Sequence, residues 1–273
     1  MAIITISREM GTGAYKIAKD VAKKMKYTLV DGSKIAEVAE LYGLTTEILE
    51  RVDEKPPVYI TAEDRMQAAC LNKVELVLLD FAKAGNVILY GRGCQDLLKG
   101  IGNMLRVRFI APFEERVEKF AEREWIDPDL AHEFIRKSDH QRAGFIHFYF
   151  DRNWNDPLGY DLVFNTAVLS EASIIDCIVA AAKDAKLKAA EADAVKQIDD
   201  IILAKKIETE LLSSGSIESL HLKIEAYNGK VNLCGHVHSD AELAEAVKIA
   251  HSVAGVKAVK NDLSVVSFRR YKE

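Results

Sequence analysis

The first twenty-five residues constrain this chain most. Ile3, Ile4 and Ile6 form a short β-branched run that breaks at Ser7, ahead of the glycines Gly11 and Gly13. From Lys16 onward, Ile17, Ala18, Val21, Ala22 and Met25 recur at helical spacing, with Lys19, Asp20, Lys23 and Lys24 on the other side. An apolar strand buried on both faces, a glycine turn and a one-sided helix is how a parallel α/β sheet begins.

The alternation continues. Tyr27 to Val30, Val87 to Tyr90, Leu105 to Ile110 and Asp161 to Phe164 read as further strands, separated by charged helical patterns such as Glu114 to Glu124. This predicts a parallel sheet covered by helices. After Ser173 comes another helix, and from Lys183 the chain turns rich in Ala, Lys, Glu and Asp, which reads as a helical connector. Beyond it follow a helix (Asp200 to Leu212), a strand (Leu220 to Ala226), Asn228-Gly229, a strand (Lys230 to Val237), a helix (Ala241 to Val253) and a strand (Val256 to Val266). Asn-Gly between alternating strands is a strong hairpin signal, because both turn positions need positive φ. The expected division is residues 1–182, a connector at 183–198, and a small αββαβ domain at 199–273.

Length and charge narrow the function. A chain of 273 residues accommodates two domains, and its net charge of −5 argues against coating nucleic acid or an anionic membrane, so any basic site is local. Cys70, Cys94, Cys177 and Cys234 are scattered and suggest neither a zinc site nor a disulfide framework. Arg8 and Glu9 interrupt the initial apolar run, and no stretch reaches membrane-spanning length. The expectation is a cytoplasmic protein with no transmembrane segment.

The segment Ser7 to Lys16 sits where a phosphate-binding loop would sit: glycines admit phosphate oxygens to backbone N–H groups, and the next helix offers its positive end. Aligned on Gly11 and Gly13, however, the position of the usual lysine holds Ala14, and an ordinary strand-to-helix turn remains open. A second feature is Val87 to Gly93, an apolar strand running into Arg92 between two glycines, where open α/β sheets bind ligands. Its guanidinium suits a phosphate, the alternative being a pair with Asp96. Arg116, Lys119 and Arg123 share a helical stripe with Glu115, Glu118 and Glu122 at pairing distance, which reads as a solvated face. Arg136, Lys137, Asp139 and Arg142 form a second basic cluster with fewer acidic neighbours. Phosphoryl transfer needs positive charge of this kind.

Taken in order, these residues resemble the cytidylate kinase-like family of P-loop kinases, over about Ile3 to Ile178. The matching blocks are Ile4 to Glu9 with the glycine turn, Asp31, Val87 to Gly93, Ala111-Pro-Phe-Glu-Glu-Arg116, Ile135 to Asp139 with Arg142, Trp154, Asp156, and Tyr160 to Thr166. The resemblance implies a P-loop kinase-like fold and a transferase moving the γ-phosphoryl group of ATP, with Mg²⁺, to a nucleoside monophosphate or related small acceptor. By position, Gly11, Thr12, Gly13 and Lys16 would hold ATP, while Asp31, Arg92 and Asp139 would line the acceptor site. Lys16, Arg92, Arg136 and Arg142 would supply catalytic charge. The family's Gly-Ser-Gly-Gly-Arg-Glu is Gly-Thr-Gly-Ala-Tyr-Lys here, which moves the basic residue one place along the helix. Lys16 also stands where a Mg²⁺-binding hydroxyl is usual, with Thr12 as a replacement.

Residues 199–266 resemble a BON domain, through Val231 to Gly235, Asn228-Gly229 and Val253 to Val259. The resemblance implies a protein or lipid contact, or self-association into a homo-oligomer. His236 and His238 alternate along one strand and read as part of a solvated face rather than a metal site. Three functions follow: a nucleoside monophosphate kinase-like enzyme, a nucleotide-responsive regulator, and an assembly protein built around the BON-like module.

Overall fold

A computed structural model describes residues 2–52, 54–56, 62–217 and 222–266. The elements in chain order are β1 (Ile3–Arg8), α1 (Ala14–Met25), β2 (Thr28–Val30), α2 (Gly32–Val38), α3 (Thr46–Arg51), α4 (Ala62–Ala84), β3 (Val87–Tyr90), α5 (Cys94–Leu97), β4 (Met104–Ile110), α6 (Phe113–Glu124), α7 (Pro128–Phe150), β5 (Leu162–Asn165), α8 (Glu171–Ala181), α9 (Ala185–Ala189), α10 (Glu191–Ser213), β6 (Leu222–Tyr227), β7 (Lys230–Val237), α11 (Asp240–Ser252) and β8 (Ala258–Val265). They form two compact units. One holds residues up to Glu37, 54–56 and Ala84–Ala194; the other holds Val38–Val52, the described part of 57–83, and the described residues from Val195 on.

The first unit is built on a five-stranded sheet in the order β2-β3-β1-β4-β5, every pair parallel. β1 lies centrally, with Ile6 opposite Tyr90 of β3 and Val107 of β4. Residues 3 to 7 of β1 are all buried, as a strand covered on both faces requires. Ile17, Ala18 and Val21 of α1 pack with Ile6, Val107 and Phe109 and with Ile174 and Ile178 of α8. Each fully buried Ile or Val there contributes roughly 1.5–3 kcal/mol relative to exposure. α6 and α7 pack with each other around Val117, Phe120, Ala131 and Ile135. Asp127 caps α7 by accepting the Asp129 N–H at 2.8 Å, and Pro128 occupies the first turn, where no donor is missed.

In the second unit, β6 and β7 are antiparallel and β7 and β8 parallel. Asn228 and Gly229 turn between them with φ of +51° and +82°. The sheet packs through Val231 and Leu233 on Leu203, Ile207 and Leu211 of α10 and Ala246 and Ala250 of α11. The half-buried Lys205 of α10 donates to the buried Glu75 of α4 at 2.8 Å and to Glu208 at 2.9 Å.

The anticipated element order is present, with shifted boundaries. The Ala- and Lys-rich stretch is α9 followed directly by the first turns of α10, so the expected helix from Asp200 begins nine residues earlier, at Glu191. The strand expected from Leu220 is described from Leu222, its first two residues lying outside the described residues. β7 ends at Val237, and His238 instead donates its backbone N–H to Glu242 ahead of α11. Among the described residues no helix is long and apolar enough to cross a membrane, and no group of three His, Cys, Asp or Glu side chains is placed to hold a metal.

Candidate active site

The carboxyl ends of β1 and β3 emerge side by side, joined by the Gly91 N–H to the Ile6 carbonyl at 2.9 Å. After β1 the chain turns through Gly11 (φ +87°) and Gly13 (φ +73°), and Gly13 caps α1. The two glycines serve different ends. A Cβ on Gly11 would lie 2.8 Å from the Arg116 carbonyl oxygen, so this glycine lets α6 approach. A Cβ on Gly13 would meet no atom within 4 Å, which leaves its surface open at a helix N-terminus. Between them, Thr12 is buried and its hydroxyl donates to the Glu9 carbonyl at 2.8 Å.

After β3 the chain makes a second left-handed turn, Gly91-Arg92-Gly93, with φ of +80°, +58° and +68°. No side chain fits at either glycine: a Cβ on Gly91 would lie 2.5 Å from Arg8, and one on Gly93 2.4 Å from the Phe150 ring. Arg8, Tyr15, Asp31, Ser33, Glu54 and Arg92 surround an open cavity of about 290 Å³. Arg8 lies over the Tyr90 ring at 4.6 Å and donates to Glu54 at 2.9 Å. Arg142 donates its Nε to the other oxygen of Glu54, also at 2.9 Å, and the Arg92 backbone N–H donates to Glu54 as well. Burial alone would raise the Glu54 pKa, but Arg8 and Arg142 outweigh it and hold the carboxyl well below the usual range.

A second ionic cluster backs the glycine loop. Arg116 is buried, donating to the Met10 carbonyl at 3.0 Å and to Asp139 at 2.6 Å, with Glu9 at 3.4 Å. The other oxygen of Asp139 accepts the Met10 N–H at 2.9 Å. Arg108 on β4 is buried beneath Trp154, 3.9 Å from the ring centre, and donates to Ser7 and to Asn155. Trp154 and Tyr160 thus wall this guanidinium; the Trp154 Nε1 donates to Ser7 and the Tyr160 hydroxyl to the Trp154 carbonyl.

Of the residues singled out from sequence, Gly11, Thr12, Gly13, Asp31, Arg92, Asp139 and Arg142 gather around the two turns. Lys16 and Arg136 do not. The Lys16 ammonium points to Glu171, 2.6 Å away on the surface, and Arg136 is exposed on α7. Asp31 accepts the Tyr15 hydroxyl at 2.6 Å and the Lys34 N–H at 2.9 Å. Asp96 stands near Arg152, at 3.7 Å, and accepts from Gln95. Arg116 departs from the solvated stripe expected of it, because α7 covers it and supplies Asp139; Lys119 pairs at the surface with Glu115, and Arg123 with its neighbour Glu124. Sequence reasoning passed over Arg8, Glu54 and Arg108. For Arg8 a signal was present, since Ser7-Arg8-Glu9 ends a buried strand at the sheet's carboxyl edge.

The first 60% of the chain decides the kinship. Residues 3–168 match the model of the cytidylate kinase-like family. The chain belongs to that family. Over 188 residues it is 30% identical to cytidylate kinase of Methanocaldococcus jannaschii, covering 67% of this chain and 99% of that protein. A crystal structure of an uncharacterized protein from Eubacterium ventriosum superposes with a TM-score of 0.53 at 24% identity, covering 66% of this chain and 97% of that one, and shares the fold. Residues 199–267 match the BON domain model, and 64 residues are 42% identical to osmotically-inducible protein Y of Escherichia coli, covering 23% of this chain and 32% of that protein. The chain therefore joins a P-loop kinase-like α/β domain of nucleotide kinase type to a BON domain.

The loop suits a polyphosphate, given the open surface at Gly13 and the helix end behind it. It suits a directly bound Mg²⁺ less well: position 16 is a lysine turned to Glu171, and the Thr12 hydroxyl is buried and donates to Glu9. A magnesium ion there would depend on phosphate oxygens and water.

Proposed function

We propose that this protein is an ATP-dependent phosphotransferase that moves the γ-phosphoryl group to an anionic small acceptor, a nucleoside monophosphate in the first instance. The observation that supports the reading is that Arg8 and Arg92 line one open cavity, with Arg142 held behind it on the second oxygen of Glu54. An acceptor phosphate oxygen would form the new P–O bond as the bond to ADP breaks. Positioning and charge neutralisation suffice for this chemistry. In this reading the guanidinia supply the charge that a loop lysine gives elsewhere, and Lys16 orders α1 against α8 through Glu171. Mg²⁺, when bound with ATP, would neutralise phosphate charge.

The test is ADP formation with Mg-ATP across nucleoside monophosphates and small-metabolite acceptors, repeated with Arg92→Ala. Turnover with one acceptor, lowered at least a hundredfold by Arg92→Ala, is the expected result. ATP binding without turnover on any acceptor would overturn the enzyme reading.

A second reading, a nucleotide-binding regulator acting through the BON domain, draws on Ala14 in the lysine position and on Asp139, which already takes a loop N–H. It requires calorimetric binding of nucleotide without its consumption. For the BON domain we infer a protein contact or self-association rather than lipid insertion, because the β6 and β8 faces carry the exposed ion pairs Lys223–Glu225 and Lys260–Asp262.

A further inference from the structure

The carboxylate of Glu54 is held as a bound anion is held. It takes Arg8 Nη1 on one oxygen, Arg142 Nε on the other, and the Arg92 N–H from the glycine turn. These donors come from three separate parts of the fold, β1, α7 and the turn after β3. A guanidinium pair and a backbone N–H at a glycine turn form a set that suits a phosphoryl group.

Two details show that a carboxylate fits this seat incompletely. Arg142 Nη1 is buried and makes no hydrogen bond; the Asp139 oxygen nearest to it is 3.7 Å away. A carboxylate, with two oxygens, leaves this donor unserved, and a phosphoryl group has a third. The charge is also short: Glu54 brings −1 to Arg8 and Arg142, while Asp139, 3.7 Å from Arg142, is shared with Arg116 at 2.6 Å, whereas a phosphate dianion brings up to −2. Gly91 is packed against Arg8 and Glu54, and Gly93 against Phe150 and Ile146, so the turn has no room to shift inward.

We propose that Glu54 is an internal stand-in for a phosphoryl group and sets the specificity of this seat, so that an acceptor binds only by displacing it. The inference rests on the acceptor-site reading above and adds the ligand class: a phosphate dianion displaces Glu54, and a simple carboxylate, its chemical equal, does not. Asp31 and Tyr15 lie on the far side of the same cavity, where the remainder of an acceptor would sit.

Calorimetry with inorganic phosphate and with acetate, no nucleotide present, tests this on the full chain. Glu54→Gln keeps the shape and removes the competing charge; it is expected to bind phosphate at least tenfold more tightly than the parent and to gain measurable acetate binding. Arg142→Met in the Glu54→Gln background is expected to reverse the phosphate gain. Should Glu54→Gln fail to fold by circular dichroism, Glu54→Asp, which draws the carboxylate back by one methylene, is expected to tighten phosphate binding at least threefold. A folded variant that binds phosphate no better than the parent overturns the proposal. Because no turnover is measured, an inactive enzyme leaves this result standing, and loss of the phosphate effect leaves kinase activity to be judged separately.

Discussion

Asp139 grips the glycine loop through Met10, taking its backbone N–H at 2.9 Å while the other carboxylate oxygen holds Arg116 at 2.6 Å. A side chain of α7 thereby fixes the loop between the strand and helix that flank it. The pair is half-enclosed, with Arg116 nearly inaccessible, so breaking it strands a buried guanidinium. A double-mutant cycle of Asp139→Ala and Arg116→Ala should give a coupling of about 1.5–3 kcal/mol by urea unfolding. Coupling near zero would mean that Glu9 replaces Asp139 without loss.

Gly93 and Gly13 share a left-handed backbone and differ in surroundings. Gly93→Ala adds a Cβ 2.4 Å from the Phe150 ring and should cost about 2–4 kcal/mol, from strain and overpacking together. Gly13→Ala meets only open space and should cost about 1–2 kcal/mol, from backbone strain alone. Yet Gly13→Ala should weaken ATP binding more than Gly93→Ala. Chemical denaturation and nucleotide titration of the two folded variants check both orders.

Lys16 and Arg142 should separate cleanly. The Lys16–Glu171 pair is solvent-exposed, so Lys16→Ala should shift the thermal midpoint by no more than about 2 °C and change turnover by less than about tenfold. Arg142→Ala, which leaves Glu54 with one guanidinium fewer, should lower turnover at least a hundredfold. Steady-state ADP formation gives both numbers, and equal losses would return Lys16 to the reacting groups.

Tyr15 provides a spectroscopic report on the cavity wall. Its hydrogen bond to Asp31, with some burial, pushes the phenol up to about 12. The folded chain therefore holds this proton where the unfolded chain loses it. The stabilisation is complete below pH 10 and disappears as the pH rises from about 10 to 12. Difference titration at the phenolate absorbance band, parent against Tyr15→Phe, should isolate one late-titrating phenol from those of Tyr27, Tyr42, Tyr90 and Tyr160, which burial also raises. Titration of Tyr15 near 10 would mean that the Asp31 contact does not form in solution.

Much of the fold was legible because its signals are local. The β-branched strand at Ile3 to Ile6, the helical spacing from Ile17 to Met25 and the Asn228-Gly229 turn each carry their own geometry. The segment between Gly32 and Ala84 was not legible. α4 is apolar on more than one side, with Leu71, Val74 and Val77 buried on one and Leu76 and Leu79 on another, which blurs its period. At the site, glycine turns marked where ligands approach, but pairing across long separations left no local trace. Glu54 meets Arg142 across 88 residues and Arg8 across 46, and nothing near Glu54 distinguishes it from a surface glutamate. Arg116 looked solvated for the same reason, its partner Asp139 lying on the next helix.

Arg92 is the non-glycine member of a run of three left-handed residues, and that conformation costs an L-residue roughly 1–2 kcal/mol. A third glycine would relieve the backbone at once. The fold thus stores conformational strain at the one position in the turn where a guanidinium can face the cavity. Laboratory selection of this protein for heat resistance alone would drift toward glycine there, and the chain that emerged would be hardier and less able to hold an anion.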